Sequence, residues 1–289
     1  MDFFNINSNK SDYCLSYENN DFPLVYKIIM KTNLVLNDYK YNEVETEMKW
    51  MVEYFESNDS GFIVKVKNIN QELLKYPPNM ENVMDIALLY SQPLSDLLLQ
   101  LNQKGQPIAV LNPQEVFSNW AYVRDNGFAL AKDDDFITSI ITTGNIDFSK
   151  PLSVINNSLV YNLFFNPVYG IKKISKSDIQ PLEQDSLFFP QYKVNFDIKE
   201  KLLNKSDTGI EIEHEGIGVL QEYDNAEKIF NETYKHMTEK SFYYGCSYKA
   251  DYSYKHNGVL NKCVAMIREK VNESFVSNKI YNINLLKSK

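Results

Sequence analysis

At 289 residues, with 44% hydrophobic and 24% charged side chains, the chain has the balance of a folded globular protein and the length to bury a sizeable core. Its net charge of −8 excludes general nucleic-acid binding, which needs a basic footprint to displace counterions from phosphates. Twenty tyrosines and seventeen phenylalanines against ten glycines lean towards sheet, because aromatic rings suit the half-buried pleated surface of a strand.

Residues 1–25 are polar, rich in Asn and Ser and aperiodic, and read as an irregular lead-in. They lack the basic and apolar regions of a secretory signal, and no apolar run nears the roughly 18 residues of a membrane span. A cytoplasmic protein without membrane insertion is expected. From Tyr26 to Leu36, and again from Val44 to Tyr54, apolar residues alternate with Lys, Glu and Asn. That period of two predicts strands, with Met48 and Trp50 buried and Glu45 and Glu47 exposed. A third strand follows at Phe62 to Ile69, and Pro77-Pro78 closes the block.

A helix is predicted from Asn79 until Pro93 stops it. Leu97, Leu99 and Leu101, then Ile108 and Val110, alternate about Asn102–Gly105 as a hairpin, although Leu97-Leu98-Leu99 equally suits the extension of a helix. Asn112-Pro113-Gln114-Glu115 has the pattern of a capped helix start, and Asn126-Gly127 that of its end. Helices at Asp134 to Thr143 and Pro151 to Phe165 complete the middle, and one acid of Asp133-Asp134-Asp135 can cap the first of them. The densest basic stretch, Lys172 to Lys176, reads as a solvated loop. Sheet returns with Val194, Phe196 and Ile198, then Ile210 to Leu220. A helix around Ala226 to Met237 leads to a long hairpin tipped by Asn257-Gly258 and a last strand near Lys279 to Leu286.

Segregated runs of strands and helices imply an α+β protein. The expected arrangement is antiparallel, curved sheet at both ends of the chain with a mostly helical middle packed against it. Strands and the helical segment occupy 26–175, and antiparallel sheet with one helix occupies 176–289, as one domain or two. The two β blocks either share one sheet or form one each. In outline, long curved strands with helices on one face resemble the half-barrels of lipoprotein carriers. No motif accompanies the likeness, so it implies an architecture and not a function.

Chemistry leaves little local trace. There is no phosphate-binding glycine loop, and Gly216-Ile217-Gly218 lies in an alternating strand, where glycines signal a bulge or close packing. Three scattered histidines and three cysteines form no metal-binding spacing, so neither metal nor cofactor is expected. Acid/base candidates gather at Glu211, Glu213 and His214, with the acids on one face of the strand and His214 on the other. A two-residue type I′ turn at Asn257-Gly258 would align Tyr252 with Cys263, Tyr248 with Ile267 and Tyr254 with Asn261. That register stacks Tyr244, Tyr248, Tyr252 and Tyr254 on one face, as a core rim or a binding surface, and keeps Cys246 too far from Cys263 for a disulfide.

The leading expectation is a non-enzymatic binding or accessory protein with a protein partner, such as an inhibitor, an immunity protein or part of a larger assembly. A hydrolase whose acids converge only in three dimensions is the first alternative. A carrier of a small apolar ligand, held between sheet and helices, is the second.

Overall fold

The computed structural model describes residues 12–17, 23–58, 61–128, 134–173, 179–238 and 240–286. In chain order the strands are β1 (Asp12–Leu15), β2 (Leu24–Leu36), β3 (Tyr39–Asn58), β4 (Gly61–Lys75), β5 (Asp96–Leu101), β6 (Pro107–Val110) and β7 (Gly170–Lys173). They continue with β8 (Ile179–Asp185), β9 (Lys193–Ser206), β10 (Gly209–Leu220), β11 (Gly245–Lys255), β12 (Leu260–Asn272) and β13 (Phe275–Leu285). Among the described residues, eleven strands form one sheet in the order β6-β5-β4-β3-β2-β13-β12-β11-β10-β9-β8, every neighbour antiparallel. β1 and β7 pair as a separate ribbon.

This overturns the expected division into sheets at the ends and a helical middle. The two β blocks join where β13 pairs with β2, Ile283 lying against Ile28. The middle of the chain also supplies strands: β5 extends the first block by pairing with β4, and β6 lies on β5. The helices α1 (Glu81–Ser91), α2 (Pro113–Tyr122), α3 (Asp135–Asp147), α4 (Pro151–Asn157), α5 (Leu159–Phe164) and α6 (Tyr223–Thr233) are short interruptions of a mainly β chain. The lead-in is not wholly irregular either, because β1 lies within it.

One face of the sheet carries the core. Tyr26, Ile28, Trp50, Val52, Val64, Leu97, Phe196, Ile212, Ala250 and Cys263 are all at most 2% exposed. Burying each large apolar side chain contributes roughly 1.5–3 kcal/mol, so the alternation that encodes this face also supplies much of the driving force. The opposite face is laced with ion pairs such as Lys31–Glu45 at 2.9 Å and Lys27–Glu47 at 2.6 Å. Trp50 and Met48 are buried as expected. Neither glutamate is exposed: Glu47 is screened by Lys27 and Lys49, both within salt-bridge distance, and Glu45 is half-buried beside Lys31.

Local expectations fare unevenly. Asp134 caps α3, accepting from the N–H groups of Phe136 and Ile137. Asn112 does not cap α2. Its Oδ1 accepts from Leu98 N at 2.9 Å and its Nδ2 donates to Asp96 O at 3.1 Å, so the side chain serves β5. The helix expected over Pro151 to Phe165 is broken at Ser158, whose backbone is extended (φ −87°, ψ 119°), into α4 and α5. Gly216 and Gly218 mark close packing: a Cβ on Gly218 would stand 2.5 Å from Val194 Cγ1.

At the β11–β12 hairpin, Tyr252 pairs with Cys263 and Tyr248 with Ile267, but Tyr254 faces Leu260 rather than Asn261. The type I′ turn is not formed. Gly258 N donates to Lys255 O at 3.0 Å and Lys255 N to Val259 O at 2.9 Å, and only Gly258 has positive φ (+78°). This is the three-residue loop with a glycine bulge. A register shift between Ser253 and Tyr254 then restores the expected pairing further along the strands. Cys14, Cys246 and Cys263 are free. A Cβ at Gly258 would lie 2.5 Å from Ser16 O. Gly258→Val should therefore destabilise the protein by more than the ~1 kcal/mol of a typical substitution, read as a lower midpoint in urea unfolding. An unchanged midpoint would show that the hairpin tip tolerates a side chain.

Candidate functional site

The two edge strands of the sheet, β6 and β8, line the same pocket: Pro107 and Ile108 on one side, Pro181 and Leu182 on the other. The sheet therefore curls until its edges approach. Both edges carry proline, which lacks a ladder donor and blunts further strand pairing. The pocket measures about 390 Å³, with α4 and α5 supplying Asn156, Asn157 and Asn162 and the inner face supplying His214, Tyr248 and Tyr252. A second, chiefly apolar pocket of about 240 Å³ lies beside it, where α5 covers Met30, Met48, Trp50 and Tyr281. Leu159 lines both.

Behind the polar pocket is a buried charge cluster. β9 carries Val194, Phe196 and Ile198 inward, and the next residue of that row is Glu200, whose side chain is 4% exposed. Register sets it opposite His214 on β10, with His214 Nε2 3.0 Å from Glu200 Oε2. Tyr13 on β1 donates to Glu200 Oε1 at 3.1 Å, and Lys172, directly opposite Tyr13 on β7, reaches Oε2 at 2.9 Å. Glu200 thus ties the ribbon to the sheet. Burial pushes its carboxyl pKa up, but hydrogen bonds and charge from His214 and Lys172 outweigh this and hold it down at about 2. The same carboxylate pushes the Tyr13 hydroxyl, already raised by burial, further up. Lys172 is therefore not part of a solvated loop, while Lys176 lies outside the described residues.

A carboxylate only accepts hydrogen bonds, which assigns the proton on the Glu200 side of His214 to Nε2. Nδ1, which has no partner among the described residues, is an acceptor whenever the ring is neutral. The ring stands edge-on to Tyr252, centroids 5.0 Å apart.

The remaining candidates separate. Glu211 is exposed and Glu213 pairs with Lys249 and Lys201, all on the outer face and turned away from His214. Tyr248, Tyr252 and Tyr254 are at most 5% exposed, and half-buried Tyr244 donates to Glu269 at 3.0 Å. The column therefore faces inward and offers no exposed aromatic surface. Glu200, which the sequence reading did not single out, was signalled by a lone acid continuing an apolar row. The pocket asparagines, drawn from helix ends and loops, gave no such signal. Among the described residues no serine, threonine or cysteine lines this pocket. Among the described residues no group of His, Cys, Asp or Glu is placed to hold a metal ion, and no helix is long and apolar enough to cross a membrane.

No family model and no curated protein matches the chain. Among solved structures, one of lipovitellin, titled for its lipid–protein interactions, is similar over 92% of this chain at 8% identity and a TM-score of 0.47. This chain spans only 25% of that one. An outer membrane channel from Pseudomonas putida is similar over 93% of this chain and 98% of its own, at 5% identity and a TM-score of 0.19. Both likenesses are too loose to bear on function.

Proposed function

We propose that the chain binds and carries a small amphiphilic ligand inside the curled sheet. The observation that supports this reading is the meeting at Leu159 of two pockets, one rich in amides as well as apolar side chains and the other chiefly apolar. A ligand with a polar and an apolar part fits that division, since each half would be desolvated among matching groups. It takes the place of a protein-partner reading, whose aromatic surface is internal. A hydrolase reading has the oriented His214–Glu200 pair in its favour, but among the described residues no Ser, Thr or Cys nucleophile lines the pocket beside the imidazole.

The test is binding of N-phenyl-1-naphthylamine, an apolar fluorophore excited by energy transfer from tryptophan. Trp50 lines the apolar pocket. Saturable binding at one equivalent is expected, with the transferred emission reduced in Trp50→Phe. Absence of saturable binding would remove the reading.

A further inference from the structure

We propose that the polar pocket receives an uncharged, hydroxyl-rich headgroup, with His214 Nδ1 as an acceptor for it. This rests on the carrier reading and adds the chemistry of the head.

Three features of the pocket argue for it. The first is what lines it: Asn102, Gln106, Asn156, Asn157, Asn162 and Asn166. Each carboxamide both donates and accepts, as a hydroxyl does, so side-by-side amides match adjacent hydroxyl groups. Some of this capacity is spent within the protein: Asn102 accepts from Lys104 N and Gln106 N and donates to Gln106 Oε1, and Asn162 donates to Asn156 O. Asn166, only 5% exposed, lies against the buried Tyr254 hydroxyl, which leaves Asn156 and Asn157 as the more accessible amides.

The second is charge. Among the described residues no lysine or arginine lines the pocket, and Lys172 behind it is bound to Glu200. A carboxylate or phosphate would lose water there with only the His214 imidazole, already paired to Glu200, to meet it, and would face the Glu183 carboxylate. A cation fares little better, because Glu200 already holds Lys172 and His214, and Glu183 is half exposed and within 3.9 Å of Lys193.

The third is orientation. Glu200 fixes the His214 ring through Nε2, which leaves the other nitrogen for a ligand hydroxyl to donate to.

The experiment is calorimetric titration at pH 8, below micelle-forming concentrations, with decyl glucoside, decanoate and decyltrimethylammonium. The glucoside should bind at least about tenfold more tightly than either ion, the equivalent of one or two hydrogen bonds set against an uncompensated charge. His214→Phe keeps a ring beside Tyr252 and removes the acceptor. It should lower glucoside affinity about five- to tenfold relative to that of N-phenyl-1-naphthylamine. Asn157→Leu, which removes an exposed lining amide and leaves the Glu200 cluster intact, should act in the same direction. Either ion binding as tightly as the glucoside, or both variants keeping its full affinity, would overturn the headgroup assignment. If the fluorophore still binds in that case, the carrier reading survives alone. If neither fluorophore nor amphiphile binds, both fall.

Discussion

Trp50→Ala should lower the unfolding free energy by about 3–5 kcal/mol, the range of large aromatic truncations in cores. Trp50 is 2% exposed and sits where the sheet meets α5. Its ring centroid lies 4.8 Å from that of Tyr161 and 5.5 Å from that of Phe164, and Phe164 in turn packs edge-on to Tyr26 at 4.7 Å. Truncation therefore removes the ring that seats the helix as well as its own buried area. α5 has only six residues, too few to hold itself as a helix without packing. Local loosening of α4 and α5 should accompany the loss, seen as faster amide exchange over residues 151–164. Urea unfolding measures the first effect. A loss below about 1 kcal/mol would mean that the ring is not packed as described.

Burial of Trp50 was legible because β3 keeps a strict period of two, which a strand answers with one wet and one dry face. Such local rules gave most strands, the β5–β6 and β11–β12 hairpins and the cap at Asp134. They failed where the deciding contact is distant. Nothing local says that β13 should lie on β2, some 250 residues away in sequence. Without that pairing, the two β blocks read as separate ends and the helices between them as a layer of their own. At the hairpin tip, Asn257-Gly258 fits two loop geometries, and the choice falls on the one that brings Gly258 against the backbone of Ser16. Asn112 looked like a cap because its neighbours Pro113 and Glu115 complete the pattern, yet its amide is drawn to β5, which approaches only in the folded chain. The candidate site shows the same division. Parity along β10 placed His214 inward and the glutamates outward, but its partner Glu200 lies on a neighbouring strand and two further partners on the β1–β7 ribbon.

Glu200→Gln should flatten the acid limb of the stability curve. The folded carboxyl has its pKa at about 2, whereas an unfolded glutamate titrates near 4.3. The native state therefore holds the charged form more tightly than the unfolded state does. The resulting stability is fully present above about pH 5 and is lost as the pH falls through 4 towards 2, because protonation then favours the unfolded chain. The depression corresponds to roughly 2–3 kcal/mol at neutral pH, an order-of-magnitude figure for a carboxylate shared among three donors. Other carboxylates held low, such as Glu43 and Glu213, contribute to acid unfolding in both proteins and cancel in the difference. The measured quantity is the gap in unfolding free energy between wild type and variant from pH 7 to pH 2. It should start near that value and close as the pH falls. Lys172→Met should narrow the gap by removing one donor while His214 and Tyr13 keep theirs. A gap that stays constant with pH would mean that Glu200 acts through its shape and hydrogen bonds alone, and that the β1–β7 ribbon is not held by its charge.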